Sequence, residues 1–271
     1  MSGMDAFAPE QIADLVRTRG VAKATSGAAT TFVLGIVAGA FIALGALFAT
    51  TIGTGSDLGF GPTRMLAGVA FSLGLILVVV AGAELFTGNN LIVMAVASRK
   101  VTIGQLARNW GLVYLGNFVG AMSVVLMIVA SDWWRLDDGA LGVSAVGIAA
   151  QKAALPFGTA FVRGILANAL VCLAVWLATG GRSVVDKVFA IVPPIAAFVA
   201  AGFEHSVANM YFIPVGLFLK HRVSAPDVDT SSLTVGGFVH NLVATTLGNI
   251  VGGAVLVGLV YWFVYLRPEE G

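Results

Sequence analysis

The sequence predicts an all-α membrane protein of six transmembrane helices, built as two three-span halves with spans two and five broken. Three observations carry this reading. Only 11% of the 271 residues are charged, 58% are hydrophobic and the mean hydropathy is +0.94, far from the composition of a soluble domain. The apolar residues come in runs near the roughly 20 residues that a helix needs to cross a bilayer, and the two-residue alternation of a membrane barrel is absent. Finally, the chain repeats itself. "AGAELFTGN" starts at Ala81 and "AGFEHSVAN" at Ala201, and a second pair, "LGNFVG" at Leu115 and "LGNIVG" at Leu247, follows in the same order.

Residues 1–26 read as an N-terminal cytoplasmic segment. Ile12, Leu15 and Val16 alternate there with Asp14, Arg17, Arg19 and Lys23, the pattern of an amphipathic helix lying in the interface. The opening residues lack the early apolar core of a cleavable signal. Spans follow near 27–52, 64–97, 106–130, 158–179, 184–218 and 234–266. The second and fifth exceed one crossing and are interrupted by polar residues. The segments are therefore 27–130, a first three-span repeat; 131–157, a periplasmic connection; and 158–271, a second repeat with a short C-terminal tail. Trp133, Trp134, Tyr261, Trp262 and Tyr265 suit interfacial belts. Nine Lys and Arg fall on the side of the N-terminus and six on the other, which favours both termini in the cytoplasm. The net charge of +1 suggests no nucleic-acid surface. Cys172 is the single cysteine, so no internal disulfide forms.

A three-span unit inverts its second copy across the membrane, so the interrupted elements of the two halves meet near the midplane. Glu84 and Glu204 are the two carboxylates well inside the apolar spans. Each would cost about 2.5–3.5 kcal/mol facing lipid. With glycine beside them to let a helix break, both read as structural braces, accepting hydrogen bonds from the amides of the broken segments. Asn89 and Asn209 of the same motif join them. The alternative is interhelical bonding between unbroken helices. His205 stands next to Glu204. An intramembrane enzyme built on Glu84, Glu204 and His205 is a remote reading, since no nucleophile stands beside His205; no catalytic residue, metal or cofactor is expected.

At these residues the chain resembles the formate/nitrite transporter family. "AELFTGN", "GILANALVCLAVW" and "GFEHSVANMYFIPVG" match its signature regions in order and spacing. The resemblance implies an aquaporin-like protomer in the cell inner membrane, surrounded by lipid and assembled as a homopentamer with one pore per protomer. It implies a channel or transporter for a small monovalent anion: formate first, with nitrite or hydrosulfide as alternatives. Carried over residue by residue, it makes His205 the central pore histidine and Thr87 its partner across the repeat interface. Asn168 lines the pore, Asn249 lies nearby, and Lys152 attracts anions on the periplasmic side. Phe71, Leu75, Phe86, Val171 and Phe198 form apolar slits above and below the histidine. His240 receives no role. A histidine between apolar slits can bind a passing anion as imidazolium, or hand it a proton so that a neutral acid crosses far more cheaply.

Overall fold

A computed structural model describes residues 6–267; the outer ends of the first and last expected segments, 1–5 and 268–271, lie outside the described residues. Helix α1 (Pro9–Thr25) starts with proline at its first position, where the missing N–H costs nothing. It buries Ile12, Ala13, Val16, Gly20 and Ala24. The apolar α2 (Ala28–Gly53) lies between α3 (Phe60–Ile76) and α6 (Ile103–Ala130). Glycines set how close: a Cβ on Gly39 would fall 2.0 Å from the Asn117 carbonyl oxygen of α6.

Helix α3 widens into a π-helical turn over Leu77–Gly82 and stops. Gly82 has φ 84°, the left-handed region where glycine meets no steric cost. Residues 83–85 run extended before the short α4 (Phe86–Asn89), a 3-10 turn (Asn90–Ile92) and α5 (Val93–Ala97). The second break has the same form. Helix α9 (Val184–Ala200) ends at Gly202, φ 73°, and α10 (Ser206–Leu219) restarts at the side-chain cap of His205.

Between the halves the expected connection 131–157 is more ordered than a loop. It holds helix α7 (Ala140–Ala153), which buries Leu141, Ala145, Val146 and Ala149, a periodicity of three and four that short apolar-small side chains make hard to see in the sequence. The chain then continues through α8 (Phe157–Gly180), α9, α10, α11 (Val235–Ile250), a long π-helical stretch (Val251–Leu259) and α12 (Val260–Tyr265). Helix α8 packs on α11 and α9, as α2 packs on α6 and α3, and α3 meets α9 between the halves. Among the described residues five helices are long and apolar enough to cross a membrane: Ala28–Gly53, Phe60–Gly82, Ile103–Ala130, Phe157–Gly180 and Val235–Tyr265. The fifth span, expected to be broken, is the pair α9 and α10, neither long enough alone.

Candidate functional site

A broken helix exposes backbone groups that must find partners inside an apolar medium. At the first break the Glu84 N–H donates to the Leu34 carbonyl (3.2 Å) and the Phe86 N–H to Asn117 Oδ1 (3.0 Å). Asn117 Nδ2 returns hydrogen bonds to the carbonyls of Gly35 and Glu84. At the second break the Glu204 N–H donates to the Arg163 carbonyl (3.3 Å) and the Ser206 N–H to Asn249 Oδ1 (2.8 Å). Asn249 Nδ2 donates to the carbonyls of Gly164 and Glu204. The two asparagines, not the two glutamates, thus hold the broken backbone. This differs from the expectation that the Glu84 and Glu204 carboxylates accept the backbone amides of the breaks: a planar amide both donates and accepts, which a carboxylate cannot do.

The glutamates serve their own network. Asn89 Nδ2 donates to Glu84 Oε2 (2.6 Å) and Asn109 Oδ1, and Lys23 Nζ lies 3.1 Å from Glu84 Oε1 while donating to Asn89 Oδ1. In the other half Asn209 Nδ2 donates to Glu204 Oε2 (2.7 Å) and Asn241 Oδ1, and Lys152 Nζ to Glu204 Oε1 (2.8 Å). Asn109 and Asn241 each tie down the backbone carbonyl of that lysine. Lys23, Asn109, Asn117 and Asn241 were not singled out in the sequence. The quoted "LGN" pair contains Asn117, and the step of 132 positions that relates it to Asn249 also relates Asn109 to Asn241. Lys23 could be found only through its lysine-alanine dipeptide, "KA", repeated at Lys152.

A cavity opens beside each network. One, of about 410 Å³, lies on the α1 side and is lined by Arg19, Lys23, Leu75, Glu84 and Lys187. The other, of about 300 Å³, lies on the α7 side and is lined by Arg64, Lys152, Arg163, Glu204 and His205, with Phe71 and Phe198. Each presents three cations against one carboxylate, a local excess that draws anions. His205 is 2% exposed and closes the floor of the second cavity. Its Nε2 is 2.9 Å from Thr87 Oγ1, and its Nδ1 accepts the Ala208 N–H (3.1 Å), the cap of α10. An acceptor nitrogen carries no proton, so the neutral ring holds its hydrogen on Nε2 and donates it to Thr87. Phe71 and Phe198 meet edge to face at 5.5 Å, and Phe198 stacks on the His205 ring at 6.0 Å.

The structure brings His205, Thr87, Phe71, Phe198 and Lys152 together. Leu75 faces the α1-side cavity. Phe86, Val171 and Asn168 are buried but line neither cavity. Phe86 packs against Trp110 and Tyr114. Asn168 Nδ2 reaches the carbonyls of Thr87 (3.3 Å) and Asn249 (2.7 Å) and Asn90 Oδ1, so its amide positions the short helix α4 that carries Thr87. His240 is exposed, edge-on to Phe157. Among the described residues no group of His, Cys, Asp and Glu could hold a metal ion.

Comparison with known proteins agrees with this architecture. A family profile described as "Formate/nitrite transporter" matches residues 10–263. The chain is 45% identical over 277 aligned positions to the "Formate channel FocA" of Escherichia coli (strain K12), covering 98% of this chain and 97% of that protein. It is 42% identical to the "Probable formate transporter" of Methanothermobacter thermautotrophicus, over 87% of this chain and 88% of that protein. Among solved structures, one described as "Pentameric formate channel with formate bound" superposes with a TM-score of 0.82 at 42% identity, covering 89% of this chain and 98% of that one.

Proposed function

Since this chain belongs to the formate/nitrite transporter family, we propose that it is a homopentameric inner-membrane channel for formate, with one pore through each protomer. The observation that carries this reading is His205, hydrogen-bonded to Thr87 across the two breaks at a phenylalanine-lined cavity. We place both termini and the α1-side cavity in the cytoplasm and the α7-side cavity in the periplasm. We read residues 27–130 and 158–267 as inverted repeats meeting at this point, with α1 and α7 as matching members that each deliver a lysine.

The pathway then works in three stages. Lys152 and Lys23, each held by its glutamate, concentrate the anion in the cavity. The slit at Phe71 and Phe198 removes water, which a bare anion leaves only at large cost. At the centre the His205 Nε2–H and the Thr87 hydroxyl supply the polar contacts that the slit lacks, with Asn168 holding the Thr87 backbone in place. To pass its Nε2 proton to formate, His205 must first take up a second proton on Nδ1 from solvent in the α7-side cavity, since a neutral ring that gave its only proton would be left an anion. That step releases the Ala208 N–H from its cap, so proton transfer and the start of α10 are linked.

The test is flux in proteoliposomes, with formate and proton movement recorded together. Asparagine retains an acceptor for the Ala208 N–H, so His205→Asn should assemble normally, yet lose at least tenfold of proton-coupled formate uptake at mildly acidic pH. Parental rate and parental proton movement in that variant would make the histidine a packing residue. A parent that carries nitrite or hydrosulfide but not formate would change the substrate.

A further inference from the structure

The two repeats coincide at the residue whose carbonyl receives the glutamate N–H: Leu34 in the first half and Arg163 in the second. The next residue is glycine in both, Gly35 and Gly164, and each gives its carbonyl to the bracing asparagine. The backbone task is therefore identical, and it is done equally well from a leucine. Nothing in the scaffold calls for a charge at 163.

The guanidinium is nevertheless there, exposed, on the wall of the α7-side cavity. The other two cations of that cavity are engaged. Lys152 is paired with Glu204. Arg64 donates to the carbonyls of Val199 and Ala200 at the end of α9, the role a cation plays at a helix C-terminus. Arg163 has no side-chain hydrogen bond or ion pair among the described residues. A planar guanidinium with free donors matches the two coplanar oxygens of a carboxylate or nitrite, and it has no such match with hydrosulfide, which offers a single acceptor atom.

We propose that Arg163 is the outer capture residue of the α7-side cavity, a forked contact that loads two-oxygen anions ahead of Lys152 and the slit and that has no equivalent on the α1 side. The pore should then be lopsided, with tighter capture of formate from the α7 side than from the α1 side. This rests on the anion-channel reading above.

The experiment uses the full pentamer in proteoliposomes whose sidedness is read by protease access to an N-terminal tag. Initial formate flux is measured against concentration from each side in the parent, Arg163→Leu, Arg163→Gln and Arg163→Lys. Because the contact is exposed, its worth is about that of a surface pair. Leucine, the residue the other repeat uses, and glutamine should each raise KM from the α7 side about threefold to fivefold. Maximal flux from the α7 side should rise in step, since a passive pore must keep the ratio of maximal flux to KM equal from its two sides, and both values from the α1 side should stay parental. Lysine should restore KM for hydrosulfide fully and for formate only in part, since it keeps charge but not the fork. A parental KM from the α7 side in Arg163→Leu or Arg163→Gln overturns the inference, as does a rise equal on both sides or full rescue of formate by lysine. If the parent carries a different anion, the channel reading changes and the same side-by-side comparison is made with that anion.

Discussion

The two breaks in this molecule share a frame and differ at their centre. Each has a bracing asparagine (Asn117, Asn249), a glutamate bonded to an asparagine five residues on, and a lysine brought in from a helix outside the spans. Yet where the second break has His205 the first has Leu85, and where the first has Thr87 the second has Val207. The frame is what broken backbone in an apolar medium demands, and both copies supply it. The residues that differ (His205, Thr87 and Arg163) carry the proposed chemistry. Divergence between the repeats is thus a better guide to function here than similarity, which reports on folding.

The strongest way to break this comparison is to remove a brace. Asn117→Leu and Asn249→Leu each strand one buried N–H and two carbonyls, at about 1–3 kcal/mol per group. Both should abolish a stable pentamer, as judged by size-exclusion chromatography. Loss in only one would show that the two breaks are not equivalent frames.

The lysines should separate the halves by degree. The Lys152–Glu204 side chains are 17% and 3% exposed, and those of Lys23–Glu84 are 33% and 13%. Leaving Glu204 unpaired by Lys152→Met should cost about 3–5 kcal/mol. Lys23→Met should cost about 1 kcal/mol, since water reaches that pair. Thermal unfolding of the detergent-solubilised protein orders the two.

Much of this was legible beforehand. The motif around Glu84 and Glu204 falls at both interruptions of the helices, whereas the "LGN" pair marks only the repeat and does not show that its asparagines are the braces. What could not be read was which polar group serves which. The sequence puts Asn249 and Glu204 in apolar spans, but which of them meets the broken backbone depends on the path of residues 203–206, which no periodicity encodes. Lys23 was hidden for a different reason: charges are ordinary on an interfacial helix, so nothing marked one as turned inward. The family resemblance names Lys152, but the helix whose end carries it was expected to be connecting chain.

At the centre the effect should be larger on flux than on stability. Thr87→Val keeps shape and removes the hydroxyl facing His205 Nε2. Loss of this buried bond, about 1 kcal/mol, should slow formate flux about fivefold and lower the melting temperature by only a few degrees, well short of the asparagine variants. An unchanged rate would mean that the histidine needs no partner from the first half. The smallest effect belongs to Lys187, half-buried on the rim of the α1-side cavity. Lys187→Gln should lower flux from that side less than twofold at low ionic strength, and the difference should vanish at 0.5 M salt, where screening acts within a few ångströms.

The position of the two lysines also bears on how the chain is made. Lys23 precedes Glu84 and Lys152 precedes Glu204 in the order of synthesis, so each carboxylate leaves the ribosome with its counter-ion already translated. The glutamate can be neutralised as its span partitions into lipid, with no wait for later segments. The contact between Thr87 and His205 spans more of the chain. It joins residues 118 positions apart, so the proposed centre of the pathway closes only when the second half has inserted, together with the Lys152–Glu204 pair and later than the Lys23–Glu84 pair.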